Sequence, residues 1–335
     1  MTFQQKLKEY VSNGKIPGKY GYIIDELYQS YIDALQGQDI QAMGIDPIFE
    51  TFINLVAAQV ENPFQFAPYH QQILEPFNYY QYGLEFIRPL VDMKLSSLRG
   101  EKNVLEIQKL LKEKHNVILL ANHQIEADPQ AISLLLEKDF PSLGREMIFV
   151  AGERVLTDPL ASPISMGRNL LCIYSKRYID HPPELKEKKQ LHNKKTMELM
   201  SDLLAEGGKC IYVAPSGGRD RPNDMGVVEV APFDPQSIEM FYLMTKKAKQ
   251  PTHFYPLSLA TFDLLPPPKT IQVELGEVRK AKRTGIHACF GNPINMENYP
   301  GSTATDKHAR RQARADFICS LVKKEYSKFP PSGAR

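Results

Sequence analysis

Tryptophan is absent from the 335 residues, and cysteine is scarce: Cys172, Cys210, Cys289 and Cys319 stand far apart, with no CxxC pair and no Cys/His cluster at metal-ligand spacing. The spacing excludes a disulfide framework or a zinc site as a reading of the sequence, and reduced, buried thiols are expected instead. Charge of one sign is also lacking. Forty-one Lys and Arg face 39 Asp and Glu, leaving +2, too little for wholesale coating of nucleic acid, so any basic function has to be local. Long apolar runs are missing too: stretches such as 117–121 fall far short of the roughly 18 residues that suggest a membrane span. The opening Met1-Thr2-Phe3-Gln4-Gln5-Lys6-Leu7-Lys8-Glu9 carries an acid and no apolar core, unlike a secretory signal or an Arg/Ser-rich transit peptide. What is present, 42% hydrophobic and 24% charged residues, is the composition of a folded globular chain long enough to bury a core.

The charge is uneven along the chain. Residues 1–60 hold four Lys, no Arg and seven acids, while the remainder is basic. Tyr22, Ile23, Leu27, Tyr31, Ile32 and Leu35 recur near helical spacing, as do Ile48, Phe49, Phe52, Ile53 and Val56, which predicts a small helical bundle. The stretch 61–68, with Pro63 and Pro68 and no period, suits a connection, giving a helical N-terminal domain over 1–66 and an α/β domain over 67–335. From about residue 100 the pattern alternates: helix 104–115, strand 116–121, helix 129–138, strand 147–151, strand 170–174, helix 183–205 and strand 209–214. Strands at 252–260, 270–278 and 287–290 and a closing helix at 306–324 complete a mixed, largely parallel sheet flanked by helices, with function expected at the strand ends.

Four stretches carry chemistry. Strand 116–121 runs into Asn122-His123-Gln124-Ile125-Glu126-Ala127-Asp128-Pro129. A neutral imidazole takes a proton from an alcohol if a carboxylate fixes its tautomer, and a tight loop brings Asp128 to His123. Asp128 before Pro129 equally fits a helix N-cap with proline at the first helical position. Strand 209–214 leads into Pro215-Ser216-Gly217-Gly218-Arg219-Asp220-Arg221-Pro222, where Gly217 and Gly218 free backbone N–H groups for an anion and Arg219 and Arg221 add forked donors. The alternative is a glycine turn with two solvated arginines. No Gly-Lys-Ser/Thr follows, so this is no P-loop, and the stretch does not match the G-x-S-x-G elbow that would make Ser216 a hydrolase nucleophile. Strand 170–174 ends at Ser175-Lys176-Arg177-Tyr178, which also reads as a basic surface turn. Strand 252–260 contains Pro256, which predicts an edge strand or a bulge. His70, His115, His181, His192, His253, His287 and His308 show no ligand spacing and read as surface or packing residues.

In this order the four stretches resemble the glycerolipid acyltransferase superfamily, whose first block is N-H-x-x-x-x-D, here Asn122, His123 and Asp128. The third block, usually Pro-Glu-Gly-Thr-Arg, stands here as Pro215-Ser216-Gly217-Gly218-Arg219 and continues Asp220-Arg221-Pro222, which looks like the soluble plastid-type and chlamydial-type glycerol-3-phosphate acyltransferases. The resemblance implies acyl transfer from acyl-acyl carrier protein, or acyl-CoA, to the sn-1 hydroxyl of glycerol 3-phosphate, with His123 as general base oriented by Asp128. It implies a phosphate held by Arg177, Ser216, Gly217, Gly218, Arg219 and Arg221, and no metal or cofactor, the acyl thioester being already activated. Tyr178 departs from the histidine expected in the plant proteins. Acyl carrier protein is acidic, and Lys186, Lys188, Lys189, Lys194 and Lys195 on one helix are the first candidates to receive it, ahead of 279–283 and 307–311. Transient contact with a membrane surface is a competing use of the same lysines, and a solvated charged face is the plain one. Readings that stay open are a Ser216-dependent acyl hydrolase and a non-catalytic phosphate- or acyl-chain-binding protein; nucleic acid is not expected as a partner. Met1 followed by a charged helix leads to the expectation of a bacterial cytoplasm, with plastid stroma the alternative if a transit peptide was removed.

Overall fold

The computed structural model describes residues 2–37, 44–175, 179–268 and 275–333. Three helices come first, α1 (Phe3–Ser12), α2 (Gly18–Ala34) and α3 (Asp46–Glu61). Thr2 starts α1 with a capping box, its hydroxyl accepting from Gln5 N while the Gln5 side chain accepts from Thr2 N. Asp46, opening α3, accepts from the Tyr28 hydroxyl of α2 at 2.6 Å. In a chain without tryptophan, phenylalanine and tyrosine fill the space between these helices. The ring of Phe49 meets those of Phe3, Tyr28 and Tyr31 edge-on at 5.0–5.4 Å.

The connection over 61–68 leads to β1 (Tyr69–His70), α4 (Tyr79–Ile87), β2 (Ser97–Arg99) and α5 (Glu101–Lys112). Then follow β3 (Asn116–Ala121), α6 (Asp128–Leu136), α7 (Pro141–Glu146), β4 (Ile148–Gly152), the single turns α8 (Arg154–Thr157) and α9 (Ser162–Ser165), and β5 (Asn169–Ile173). The long α10 (Lys186–Glu206) precedes β6 (Cys210–Val213), a short hairpin of β7 (Arg221–Pro222) and β8 (Val228–Glu229), and α11 (Pro235–Lys247). β9 (Thr252–Ala260), β10 (His287–Phe290) and α12 (Lys307–Tyr326) close the chain.

The eight-stranded sheet has the order β1-β5-β4-β6-β3-β9-β10-β2. The five strands from β5 to β9 are parallel, β1 is antiparallel to β5, β10 is antiparallel to β9, and β2 is parallel to β10, so the sheet is mixed and largely parallel as expected. β3 lies in the middle and every residue of it is buried, which is why it reads as an unbroken apolar run. Its side chains alternate between two layers. Val117, Leu119 and Ala121 pack with Val104 and Ile107 of α5 and Ile132 of α6, whereas Ile118 and Leu120 pack with Met200 of α10, Phe241 of α11 and Ile318 of α12.

Two expectations are corrected. β9 is paired on both sides, so Pro256 sits in no edge strand. Its carbonyl accepts from Gly291 N at 2.9 Å, so the missing N–H lies on that same side, past the last residue of β10, and the ladder to β3 is intact. The close approach demands glycine there, since a Cβ on Gly291 would stand 2.6 Å from Pro256 Cγ. Of the expected strand at 270–278, residues 270–274 lie outside the described residues and 275–278 form no strand.

The N-terminal helices share a core with the rest of the chain. Ile24, Tyr31 and Phe52 belong to one buried cluster with Phe86 of α4, Ile125 and Ala127 of the loop after β3, Leu160, Leu264 and Ile286. The buried Tyr31 hydroxyl donates to Phe86 O at 2.9 Å, fastening α2 to α4 across this seam. Phe49→Ala is therefore expected to lower stability by about 3–5 kcal/mol. In denaturant the variant should still unfold in a single transition seen alike by far- and near-ultraviolet circular dichroism; a separate early transition of the helices would contradict a shared core.

Candidate active site

β3 delivers its last residues to a loop held almost entirely by side-chain hydrogen bonds. The amide of Asn122 continues the ladder beyond the strand: Nδ2 donates to Leu259 O at 2.9 Å and Oδ1 accepts from Leu259 N at 2.8 Å. The chain then turns, and Asp128 folds back over the loop. Its carboxylate accepts from His123 Nδ1 (2.8 Å), Gln124 N (2.8 Å), Ile125 N (3.4 Å) and the Thr261 hydroxyl (2.5 Å). These bonds place Asp128 outside the N-cap role. The residue before it, Ala127, is the N-cap of α6, and the Asp128 side chain bonds backward to His123 rather than forward into the helix.

Asp128 is 1% exposed and His123 29% exposed, so the pair presents one edge of the imidazole to solvent over a sealed carboxylate. With Nδ1 donating to Asp128, Nε2 carries the lone pair, and among the described residues it has no hydrogen-bond partner. That is the geometry of a base oriented by an acid.

The loop after β6 meets this one through Asp220. In sequence it alternates with Arg219 and Arg221, and in space it is the inward-facing member, with no solvent exposure. Its N–H donates to His123 O at 2.6 Å. Its carboxylate accepts from Asn122 Nδ2 (2.8 Å), Gln124 Nε2 (3.2 Å) and Ala231 N (2.9 Å). Gln124, also fully buried, completes the weld: its Oε1 accepts from Thr261 N and Phe262 N while Nε2 reaches the Tyr326 hydroxyl of α12. The two sequence motifs thus form one site.

Of the predicted anion-binding residues, Gly217 takes the left-handed conformation (φ 65°), and a Cβ at Gly217 or Gly218 would meet nothing within 4 Å, so this side of the loop is open. The Ser216 hydroxyl donates to Gly218 O at 2.8 Å, a bond internal to the turn. Arg221 opens β7, part-exposed, one residue beyond Asp220. Arg219, 17% exposed, donates from Nη2 to Glu277 at 2.7 Å and lies 3.9 Å from Glu126. Glu126 in turn binds Arg279 through Nε at 2.8 Å and Nη2 at 2.6 Å. Burial alone would raise the Glu126 carboxyl, but Arg279 and Arg219 outweigh it and hold the group below the usual carboxylate range. Arg177 lies outside the described residues. β5, from whose end it follows, is separated from β6 by β4.

Among the lysines of α10, Lys189 is a correction. It is 5% exposed, donates to His181 O at 2.5 Å and lies over the Tyr174 ring, so it is unavailable to a partner. Lys186, Lys188, Lys194 and Lys195 are exposed, with Lys186 paired to Asp180 and Lys194 near Glu198. The other basic segments are largely engaged in the fold: Arg279 with Glu126, Arg283 with Asp92, Arg311 with Glu239. Several histidines are packing residues as read: His70 bonds Met166 O, His192 bonds Cys172 O, and His115 and His253 bond each other at 3.1 Å. Among the described residues no group of three or more His, Cys, Asp or Glu stands close enough to hold a metal ion, and no helix is long and apolar enough to cross a membrane.

Reading from sequence missed Gln124, Thr261, Asp220 and Glu277. Thr261 directly follows β9, the partner strand of β3, so only the strand order reveals it; Asp220 was visible as the one acid between two arginines. Burial, opposed by its hydrogen bonds from Asn122, Ala231 N and Gln124, pushes the Asp220 carboxyl up to about 6. Between about pH 4 and 6 the folded protein then binds more protons here than the unfolded chain, so the contribution of Asp220 to stability falls as pH rises through that window. Asp220→Asn should accordingly cost more at pH 4.5 than at pH 7, by up to about 2 kcal/mol. Denaturant titrations of both proteins at the two pH values check this; a cost independent of pH would contradict it.

A family model described as Acyltransferase matches residues 100–260, which contain both loops. The chloroplastic glycerol-3-phosphate acyltransferase of Arabidopsis thaliana is 35% identical over 328 residues, covering 96% of this chain and 70% of that protein. The chloroplastic glycerol-3-phosphate acyltransferase ATS12 of Cucurbita moschata is 37% identical over 324 residues, again 96% of this chain and 70% of that protein. The bacterial cytoplasm expected from the N-terminus finds no counterpart in these relatives, which are chloroplastic by name. With identity at this level extending from the N-terminal helices through both loops of the site, the chain belongs to the glycerol-3-phosphate acyltransferase family.

Proposed function

We propose that the protein transfers a fatty acyl group from an acyl thioester to the sn-1 hydroxyl of glycerol 3-phosphate, giving 1-acyl-glycerol 3-phosphate. The observation that carries the reading is the His123–Asp128 pair at 2.8 Å, set beside an open glycine and arginine loop by the bonds of Asp220. His123 Nε2 takes the proton of the sn-1 hydroxyl as its oxygen attacks the thioester carbonyl carbon. The tetrahedral intermediate collapses with cleavage of the C–S bond, and the imidazolium returns the proton to the departing thiolate. Asp128 stabilises the imidazolium in between. The substrate phosphate rests on Arg219 and Arg221, with Arg177 assisting. The thioester brings its own activation, so the scheme requires no metal or cofactor.

An apolar cleft supports the acyl half of the reading. Ile23, Leu27, Phe52, Phe86, Leu160 and Leu265 line it, and it reaches Glu126 and Arg279 beside the His123 loop. The hydrocarbon chain would enter between the N-terminal helices and the sheet domain, where a cavity of about 30 Å³ would have to widen to take it and burial of each CH₂ contributes about 0.8 kcal/mol. The engagement of Ser216 with Gly218 O argues against the hydrolase reading, in which that hydroxyl would face His123.

Acyl carrier protein is the donor we favour, because α10 presents Lys188, Lys194 and Lys195 around the exposed Leu191. The compartment proposed is one that supplies acyl carrier protein, bacterial cytoplasm or plastid stroma, the names of the relatives supporting the latter.

Purified protein given palmitoyl-acyl carrier protein and labelled glycerol 3-phosphate should form the 1-acyl product, and His123→Ala should lose at least about 10²-fold in rate. Equal turnover by both proteins, or none by either, would overturn the reading. Lys188→Glu with Lys195→Glu should raise KM for acyl-acyl carrier protein several-fold and leave KM for acyl-CoA near its original value. An equal change for both donors would remove α10 from the docking surface.

A further inference from the structure

Arg219 is already occupied. Its Nη2 donates to the Glu277 carboxylate at 2.7 Å, and Glu277 is only 5% exposed. Around this pair stand Arg279, Glu126 and Asp158, with Arg279 2.6 Å from Glu126 and 3.7 Å from Asp158. Three carboxylates thus share two guanidiniums, and the cluster carries a formal charge of −1. A phosphate bearing close to two negative charges cannot join it favourably as it stands, because each added anion repels the three already there.

The main chain under Glu277 is fixed. Arg279 Nη1 donates to Glu277 O at 2.7 Å, and Gly276 N donates to Asp158 Oδ2 at 3.0 Å. Glu126 and Asp158 are likewise tied, the first by a hydrogen bond from Arg279 Nε at 2.8 Å and an ion pair with its Nη2, the second by Leu160 N at 2.9 Å. Among the described residues the Glu277 carboxylate pairs with Arg219 alone, whereas Glu126 faces both Arg279 and Arg219.

We propose that Glu277 is a resident stand-in for the substrate phosphate: it neutralises Arg219 in the free protein and sets the affinity for glycerol 3-phosphate by having to leave. This inference rests on the reading of Arg219 as a phosphate ligand. Glu277 is a positioning residue, acting through Arg219. It keeps the guanidinium aimed at the loop while the site is empty, and weakens capture of any phosphate by the free energy of the displaced pair.

Calorimetric titration of glycerol 3-phosphate and of inorganic phosphate into wild type, Glu277→Gln, Arg219→Gln and the double variant tests the proposal, with thermal melts to establish folding. Glu277→Gln, which keeps the hydrogen-bond acceptor and loses the charge, should bind both anions about tenfold more tightly than wild type. In the Arg219→Gln background the same change should have no effect on affinity. Unchanged or weaker binding by a folded Glu277→Gln, or a gain that persists without Arg219, overturns the proposal. Should Glu277→Gln fail to fold, Glu277→Asp decides, since its shorter side chain draws the charge back from Arg219 and should give a smaller gain of the same sign. Wild type that took up no glycerol 3-phosphate would defeat the substrate reading itself; wild type that bound it, with no gain on removing the charge, defeats only the role of Glu277.

Discussion

Asp220 is a carboxylate without solvent exposure that joins two loops from neighbouring strands, and the geometry of the site depends on it. Through its backbone N–H it fixes the carbonyl of His123, and through its side chain it fixes Asn122 and Gln124, the residues on either side of that histidine. A buried acid of this kind is costly unless every oxygen finds a donor, and here both oxygens do. The consequence is that the glycine and arginine loop is tied directly to the segment that carries the imidazole. Under the function proposed, this tie supplies the sub-ångström positioning that proton transfer requires.

The same logic extends outward. Asp128 is met by four donors, one of them the hydroxyl of Thr261 from the end of the adjacent strand, so three consecutive strands of the sheet, β6, β3 and β9, contribute to one histidine. Above it, the N-terminal helices close an apolar cleft whose inner end is polar, at Glu126 and Arg279. An alcohol carrying a phosphate and a chain carrying a thioester make opposite demands on a site, and the function proposed would assign charge to the β6 side and hydrocarbon to the helical side.

Much of this was legible in the sequence, for identifiable reasons. β3 is a fully buried parallel strand, so it appears as an unbroken apolar run, and the histidine and aspartate that follow it stand out. Gly217, Gly218 and Arg219 were visible in the same way after β6. Strand order is what the sequence hides. Thr261 and Glu277 reach the site from chain far from His123 and Arg219 in sequence, and the role of Gln124, although adjacent to His123, lies in its bonds to Asp220, Thr261 and Phe262, which no spacing signals. Pro256 suggests an edge or a bulge because a strand proline usually marks one, yet β9 is internal and its pairing with β10 ends just where the proline falls. Lys189 was grouped with its neighbours by charge, although Thr196, Met200 and Leu204 continue its helical stripe into the core.

The most direct test of the account is a crystal structure of the wild-type protein with glycerol 3-phosphate bound. The account predicts the sn-1 oxygen within about 3.2 Å of His123 Nε2. It predicts the phosphate against Arg219 on the open side of Gly217 and Gly218. A complex with the phosphate seated away from this loop, or with the sn-1 hydroxyl out of reach of the imidazole, would contradict it.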